Sequence, residues 1–328
     1  MPNEPPLLTI AIPTYNRQRM LEQLLADLID QIGPDTRVEL LVSDNASPDG
    51  TPGVVRHLLD QGVAIRSIRN ETNLGPDRNI LQCFLEATGN YVWVFSDDDL
   101  LQPGTVQRIL AVIAKREYDL ICIRLFGFNG EYQGPKPFKP RRDLEFVSPA
   151  SLARRVHVNF TFISGVIVNR ARIVSLPHRP FESLVGTNLV QLGPCYSALN
   201  HHRRSLLIRD PLVAARGNRN VGYALYRVFG TNFAGITRDW LEIKSTQRAI
   251  LNGALRVFFP YWLLLSRVSA ASRVQEDPQA VLRKAFRSNP LYWIFDYPIC
   301  TLPLPLAKAW SLAVRAFNKA VKLLLDLS

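Results

Sequence analysis

Through the first 125 residues, short apolar runs alternate with segments in which large apolar side chains recur at helical spacing. Residues 7–12 read as a strand that Pro13 stops, and 17–31 as a helix with Leu21, Leu24, Leu25 and Leu28 on one face. The alternation continues with a strand over 38–42, a helix over 50–61, a strand over 64–68 and a helix over 76–87 opened by Pro76. An apolar strand at 91–95, a helix over 103–116 and a fifth strand at 119–124 complete the series. Five strands separated by helices predict an α/β domain whose parallel sheet is covered on both faces.

Beyond this the pattern loosens. Residues 127–147 read as a loop, with Pro135, Pro137 and Pro140 set against regular structure and Lys136, Lys139, Arg141 and Arg142 between them. A short helix after Ser148-Pro149, a strand over 160–168, a helix over 188–200 and a strand over 205–209 follow, and then a basic turn at 216–220. From about 221 onward the reading is helical, broken at Pro260, Pro278, Pro290, Pro298, Pro303 and Pro305. The predicted organisation is a catalytic domain over 1–220, with a nucleotide-binding half at 1–125 and an acceptor half at 126–220. A helical region over 221–328 completes the chain.

Composition narrows the class. The 328 residues are 47% hydrophobic and 20% charged, a mixture that folds and does not suit a disordered or low-complexity chain. Cys83, Cys122, Cys195 and Cys300 are far apart and read as reduced thiols, and the five histidines show no ligand spacing. The opening six residues are polar and the following apolar run is too short for a signal core, so a cytosolic location is expected. No window reaches the ~18–20 uninterrupted apolar residues of a membrane span. The formal charge of +11 is uneven, because residues 241–328 hold twelve Lys/Arg against five Asp/Glu. Lys308, Arg315, Lys319 and Lys322 recur there at helical spacing, opposite Leu306, Trp310, Val314, Phe317, Val321 and Leu324. A basic face beside an aromatic, leucine-rich one describes an interfacial helix, so peripheral membrane contact through 241–328 is expected. Packing on the catalytic domain or on a second copy would use the same pattern.

Three polar clusters fall at predicted strand ends: Thr14-Tyr15-Asn16, Ser43-Asp44-Asn45 and Ser96-Asp97-Asp98-Asp99. Ligands of open α/β sheets bind at those ends. Three adjacent carboxylates repel one another unless a cation neutralises them, and hard oxygen ligands suit Mg2+ or Mn2+. A solvated acidic turn would use the same residues. Asp44 is placed to accept from a base or ribose, or to form an Asx-turn. In Asn73-Leu74-Gly75-Pro76-Asp77-Arg78-Asn79, Arg78 falls in the first turn of a helix, where an anion is favoured.

As an ordered set, the stretch from Ile10 to Arg17, Val42-Ser43-Asp44-Asn45-Ala46-Ser47, Asn73-Leu74-Gly75 with Arg78-Asn79, and Asp97-Asp98-Asp99 resemble the motifs of family-2 glycosyltransferases with the GT-A fold. The resemblance is good over 7–125 and loose over 126–220. It implies a Rossmann-like, mostly parallel sheet. It places Pro13, Thr14 and Asn16 in the nucleotide pocket with Asn73 and Gly75, Asp44 on the base, Arg78 near the diphosphate, and Asp98 near the ribose. Asp99, with Asp97, would bind Mn2+ or Mg2+. The implied reaction moves a sugar from a nucleotide-diphospho-sugar to a hydroxyl of a lipid-linked or polysaccharide acceptor. The general base of the family is missing at Gly186-Thr187-Asn188; Glu182 and, less directly, Asp210 at the end of the 205–209 strand are the substitutes. Arg216 and Arg219 are candidates to clamp the diphosphate. A sugar nucleotidyltransferase would use the same sheet and metal. A basic nucleic-acid-binding protein is disfavoured by the absence of a recognition motif, and a nicotinamide dehydrogenase by the lack of a glycine-rich first turn.

Overall fold

The computed structural model describes residues 4–217, 222–269 and 275–327. The chain divides into two units, Met1–Leu152 with Asn159–Gly217, and Ala153–Val158 with Asn218–Ser328. The strands are β1 (Leu8–Thr14), β2 (Val38–Asp44), β3 (Ile65–Arg69), β4 (Tyr91–Val94), β5 (Leu100–Leu101), β6 (Leu120–Phe128), β7 (Leu144–Phe146), β8 (Val166–Asn169) and β9 (Ser205–Arg216). The helices among them are α1 (Gln18–Ile32), α2 (Thr51–Asp60), α3 (Pro76–Glu86), α4 (Thr105–Lys115), α5 (Pro149–Val156), α6 (Arg170–Val174) and α7 (Leu192–Asn200).

The strands form one sheet in the order β3-β2-β1-β4-β8-β6-β9-β5, with β7 also paired to β9. β1, β2, β3 and β4 are mutually parallel, and β6 is parallel to β9. β8 is antiparallel to both β4 and β6. The sheet is thus mixed, and β8 separates β4 from β6, the fourth and fifth expected strands. The expected strand over 160–168 is mostly 3-10 turns, His157–Thr161 and Ile163–Gly165, and only Val166–Asn169 pairs. Short apolar runs do not distinguish the two by period alone. Pro13 does not stop β1. Its ring nitrogen points to the β4 side, beyond the last β1–β4 pair at Ala11–Val94, so no ladder donor is lost.

Alternation along β1 divides the core. Leu8, Ile10 and Ile12 pack with the leucines of α1 and with Val106, Ile109, Leu110 and Ile113 of α4. Ala11 faces the other way, with Leu41 and with Cys83 of α3. Both faces are thus closed, which leaves the strand ends as the accessible part of the parallel half.

The second unit is helical: α8 (Phe233–Trp240), α9 (Lys244–Gly253), α10 (Phe259–Val268), α11 (Pro278–Phe286), α12 (Tyr297–Thr301) and α13 (Leu304–Leu327). Asp277 caps α11 by accepting from the Ala280 amide, ahead of Pro278 in the first turn. Residues Lys244–Val268 run as one helix, long and apolar enough by length and composition to cross a membrane, with 44% of its apolar window buried inside the structure. Arg248 and Arg256 interrupt its apolar run, so no stretch of it is uninterrupted over ~18–20 residues. π-helical turns at Ala254–Phe258 and Tyr292–Asp296 each precede a proline, Pro260 and Pro298. A proline supplies no N–H to the carbonyl four residues earlier. Those two carbonyls, of Arg256 and Ile294, are taken instead by Asn318 Nδ2 and by Trp310 Nε1 of α13, the latter at 3.0 Å. Prolines that read as breaks in the sequence are therefore the points where α13 is attached.

The faces of α13 differ from expectation. Ala307, Ser311 and Val314 are buried, whereas Leu306, Trp310, Leu312, Phe317 and Leu323 are exposed. Val314 thus leaves the expected apolar face for a narrow inward seam of small residues. The side chains of Lys322 and Leu324 lie outside the described residues.

Trp310→Phe removes the donor to the Ile294 carbonyl and should cost about 1 kcal/mol in urea unfolding. The cost should shrink in a Pro298→Ala background, where the restored amide reaches the same carbonyl. Equal costs in both backgrounds would contradict this account of the attachment.

Candidate functional site

Thr14 and Asp44 are register partners at the last positions of β1 and β2. β4 ends two residues before Ser96, and the Phe95 amide still donates to the Ala11 carbonyl at 2.8 Å. The chain then turns through Asp97-Asp98-Asp99 into β5, whose Leu100 pairs with Ala214 of β9. The acidic turn is thereby fixed at both ends. Thr14 Oγ1 donates to Asp97 at 2.7 Å. Asp99 accepts from Ser164 Oγ at 2.7 Å and from the Arg216 amide at 2.9 Å. Asp98, half-buried, accepts from Ser96 Oγ at 2.7 Å.

Asp97 and Asp99 are 8% and 2% exposed. Burial pushes the Asp97 carboxyl up to about 6, against the Thr14 hydroxyl that favours its ion. Burial likewise pushes Asp99 up to about 7, opposed by its Ser164 and Arg216 bonds and reinforced by its two acidic neighbours. The carboxyls of Asp97 and Asp99 are buried, unlike those of a solvated acidic turn. No group of three or more His, Cys, Asp or Glu forms a cation cage among the described residues. Two carboxylates at one point are nevertheless the donor set that Mg2+ or Mn2+ takes when substrate phosphates complete its shell. The residues present fit such a cation.

Asp44 is 2% exposed. Its Oδ1 accepts from the Ser47 amide at 3.0 Å, which is the turn bond foreseen as an alternative. Its Oδ2 lies 3.0 Å from Arg69 Nη1 as an ion pair, yet has no partner of hydrogen-bond geometry. A buried carboxylate oxygen with an open acceptor position is what a base N–H or a ribose hydroxyl would complete.

The 73–79 turn is held on the same edge by amides. Asn45 Nδ2 donates to Asn73 Oδ1 at 2.8 Å, and Asn45 Oδ1 accepts from the Leu74 amide and from Asn70 Nδ2, both at 3.0 Å. Asn79 bonds the hydroxyl and the carbonyl of Ser43 at 2.7 and 3.0 Å. Gly75, at φ +83°, adopts the left-handed conformation that starts α3 and leaves Arg78 exposed in its first turn. Asn73 and Gly75 therefore shape the turn. Pro13 and Asn16 flank Thr14, and the Asn16 amide donates to Ser47 Oγ at 2.9 Å, joining the β1 and β2 ends.

Arg216 ends β9 and does not begin a turn. Its Nε reaches the Asp98 carbonyl at 3.3 Å, its Nη1 the Gly130 carbonyl at 2.6 Å, and its guanidinium stacks 4.7 Å over Phe128. Arg219 lies outside the described residues. Asp210 is not at a strand end either. β9 continues through it to Arg216, and its carboxylate accepts from the Arg141 amide at 2.7 Å. Six residues of extended strand put it about 20 Å from Arg216. Glu182 is exposed in the 3-10 turn Phe181–Leu184. α7 begins only at Leu192, so Gly186-Thr187-Asn188 is a separate turn ahead of the helix.

Four residues at this edge escaped the sequence reading as site residues. Asn45 was read only as part of a motif. Arg69 ends β3 without marking itself, and Ser164 was hidden within an expected strand. Asp77 stands beside Arg78 with no motif to mark it, and its buried Oδ2 accepts from the amides of Gly186 and Asn188, both at 2.8 Å.

The family model described as "Glycosyl transferase family 2" matches residues 9–168. The abequosyltransferase RfbV of Salmonella typhimurium is 30% identical over 229 residues, 65% of this chain and 68% of that protein. The GalNAc(5)-diNAcBac-PP-undecaprenol beta-1,3-glucosyltransferase of Campylobacter jejuni is 32% identical over 106 residues, 32% of this chain and 34% of that protein. Staphylococcus aureus TarS 1–349 in complex with UDP-GlcNAc superposes with a TM-score of 0.62 at 17% identity, over 95% of this chain and 92% of that one. That likeness shows the GT-A fold, with its mixed sheet and C-terminal helices.

A group whose folded value is raised from 3.8 to about 7 stabilises the fold fully below 3.8 and loses that contribution as pH rises towards 7. In EDTA, Asp99→Asn should therefore melt above the wild type by a margin that grows from about pH 4 to about pH 7 and then levels off. A margin independent of pH in scanning fluorimetry would show that Asp99 is not held out of water.

Proposed function

The chain belongs to glycosyl transferase family 2, and from that membership we propose that it transfers a sugar from a nucleotide-diphospho-sugar to a hydroxyl of a lipid-linked or polysaccharide acceptor. The observation that carries this reading is the convergence of Thr14, Asp44 and Asp97-Asp98-Asp99 at neighbouring ends of β1, β2 and β4. The open acceptor position on Asp44 suits the donor's base, with Pro13, Thr14 and Asn16 along the pocket and Asp98 towards the ribose. Arg78 at the start of α3 and Arg216 beside the acidic turn supply cations for the diphosphate, and Arg219 is the further candidate beyond the described residues. Asp99, with Asp97, would hold Mn2+ or Mg2+, which when bound offsets the charge that develops on the departing diphosphate.

In the transfer the acceptor oxygen bonds to the anomeric carbon as the bond from that carbon to the diphosphate oxygen breaks. The hydroxyl proton passes to a base, and the nucleotide leaves with the electron pair. Of the two carboxylates considered for the base, Asp210 is committed to the Arg141 amide. Glu182 is exposed and makes no side-chain hydrogen bond among the described residues, so it is the one free to meet an acceptor hydroxyl. The acceptor class draws on the Campylobacter relative, whose name specifies an undecaprenol-linked saccharide. Family membership sets aside the nucleotidyltransferase and nucleic-acid readings.

Peripheral membrane contact at the inner face suits such an acceptor. Tyr261, Trp293, Trp310 and Phe317 are each between 39% and 50% exposed. Arg315 stands 5.9 Å from the Tyr261 ring, and Arg283 5.9 Å from the Trp293 ring. Aromatic rings beside cations match the headgroup boundary.

Asp99→Ala should abolish the Mn2+-dependent thermal stabilisation by nucleotide-sugars while the protein stays folded by circular dichroism. Stabilisation at wild-type strength would remove Asp99 from the metal site. Leu312→Glu with Phe317→Glu should reduce flotation with phosphatidylglycerol vesicles, and undiminished flotation would argue against the membrane contact.

A further inference from the structure

Residues 134–142, Gly-Pro-Lys-Pro-Phe-Lys-Pro-Arg-Arg, place four cations within seven positions and divide them with prolines. Pro135, Pro137 and Pro140 stiffen the strap, which has no regular secondary structure. Its path is pinned through the main chain. The Gly130 carbonyl accepts from Arg216, the Lys136 carbonyl from Gln102 Nε2 at 3.1 Å, and the Arg141 amide donates to Asp210 at 2.7 Å. None of these bonds uses a strap side chain, and Lys136, Lys139, Arg141 and Arg142 are all exposed.

The loop's own acids do not neutralise these charges. Glu131 lies 3.8 Å from Arg19, and Asp143 pairs with Arg108. Lys136, Lys139, Arg141 and Arg142 form no ion pair among the described residues. The Lys136 ammonium stands 5.1 Å over Phe126, two positions from the Phe128 ring under Arg216. A line of cations therefore starts beside the acidic turn at Arg216 and passes Lys136 to reach Arg141 at Asp210, a distance of about 20 Å along β9. A donor diphosphate held at Asp99 cannot use charges that far away. Like charges spaced along a main chain that is itself pinned suit an anion that extends along them. Arginine forks match phosphate oxygens in particular.

We propose that this strap binds phosphate groups of the acceptor, so that the sugar is added to a phosphate-bearing chain lying along β9. The proposal rests on the sugar-transfer reading above and deepens it by naming the acceptor's chemistry.

The test uses the full-length protein with inorganic polyphosphate as the probe, in EDTA so that no metal draws it to the donor site. K139A/R141A/R142A should bind at least tenfold more weakly than wild type, with a flatter salt dependence. Its Mn2+-dependent stabilisation by the nucleotide-sugar that stabilises the wild type should be unchanged. Equal polyphosphate binding by the two proteins overturns the proposal. So does loss of binding in K308A/R315A/K319A with the strap intact, which would assign the anion to the tail. A strap variant that keeps polyphosphate but no longer floats with phosphatidylglycerol vesicles overturns it in favour of a bilayer contact. A wild type that no nucleotide-sugar stabilises would instead count against the transferase reading, whatever the strap does.

Discussion

Two carboxyl groups kept out of water at the end of β4 impose their requirements on the elements around them. Each needs a donor that does not itself carry charge: Thr14 supplies one to Asp97, and Ser164 with the Arg216 amide supplies two to Asp99. These donors come from β1, from the turn ahead of β8 and from the last residue of β9. Inserting β8 antiparallel between β4 and β6 brings Ser164 to the acidic turn, and extending β9 past its bulge brings the Arg216 amide there. The mixed sheet is the arrangement that surrounds the acids with neutral donors. The cost is a stretch of protein less stable at neutral pH than its core alone would allow.

Much of the parallel half was legible because its signals are local and repeated. Strands β1 to β4 and helices α1 to α4 each announce themselves by period and by flanking Pro, Gly or Asn, and the polar clusters at the strand ends follow from that order. What stayed hidden depends on contacts between segments far apart in the chain. β5 is two residues long and is defined only by pairing with β9. The Asp44–Arg69 pair spans 25 positions, and Ser164 meets Asp99 across 65. Asp210 stands at the end of the strand expected over 205–209, yet a bulge carries the pairing past it and the strand goes on. No period in the sequence reports any of these.

The helical unit teaches a related point about proline. Pro260 and Pro298 were read as interruptions, and each does disturb its helix by a π turn. The carbonyls they leave are then bonded by side chains of α13 that a hydropathy reading would assign to other duties: a polar Asn318 and an interfacial Trp310. Buried small residues form the seam of α13, so its large apolar side chains are released to the outside. An apolar face counted from sequence alone therefore mixed two surfaces with different fates.

Asp77 binds two amides of a turn more than a hundred residues away through a single oxygen. That oxygen belongs to the first turn of α3, one position from Arg78, and the turn it holds has positive φ at both Gly186 and Asn188. An unusual backbone shape of this kind persists only while its anchor holds. The front of α3 and the 186–188 segment are consequently one mechanical part, and a lengthened side chain or a shifted helix start at either end would be felt at the other.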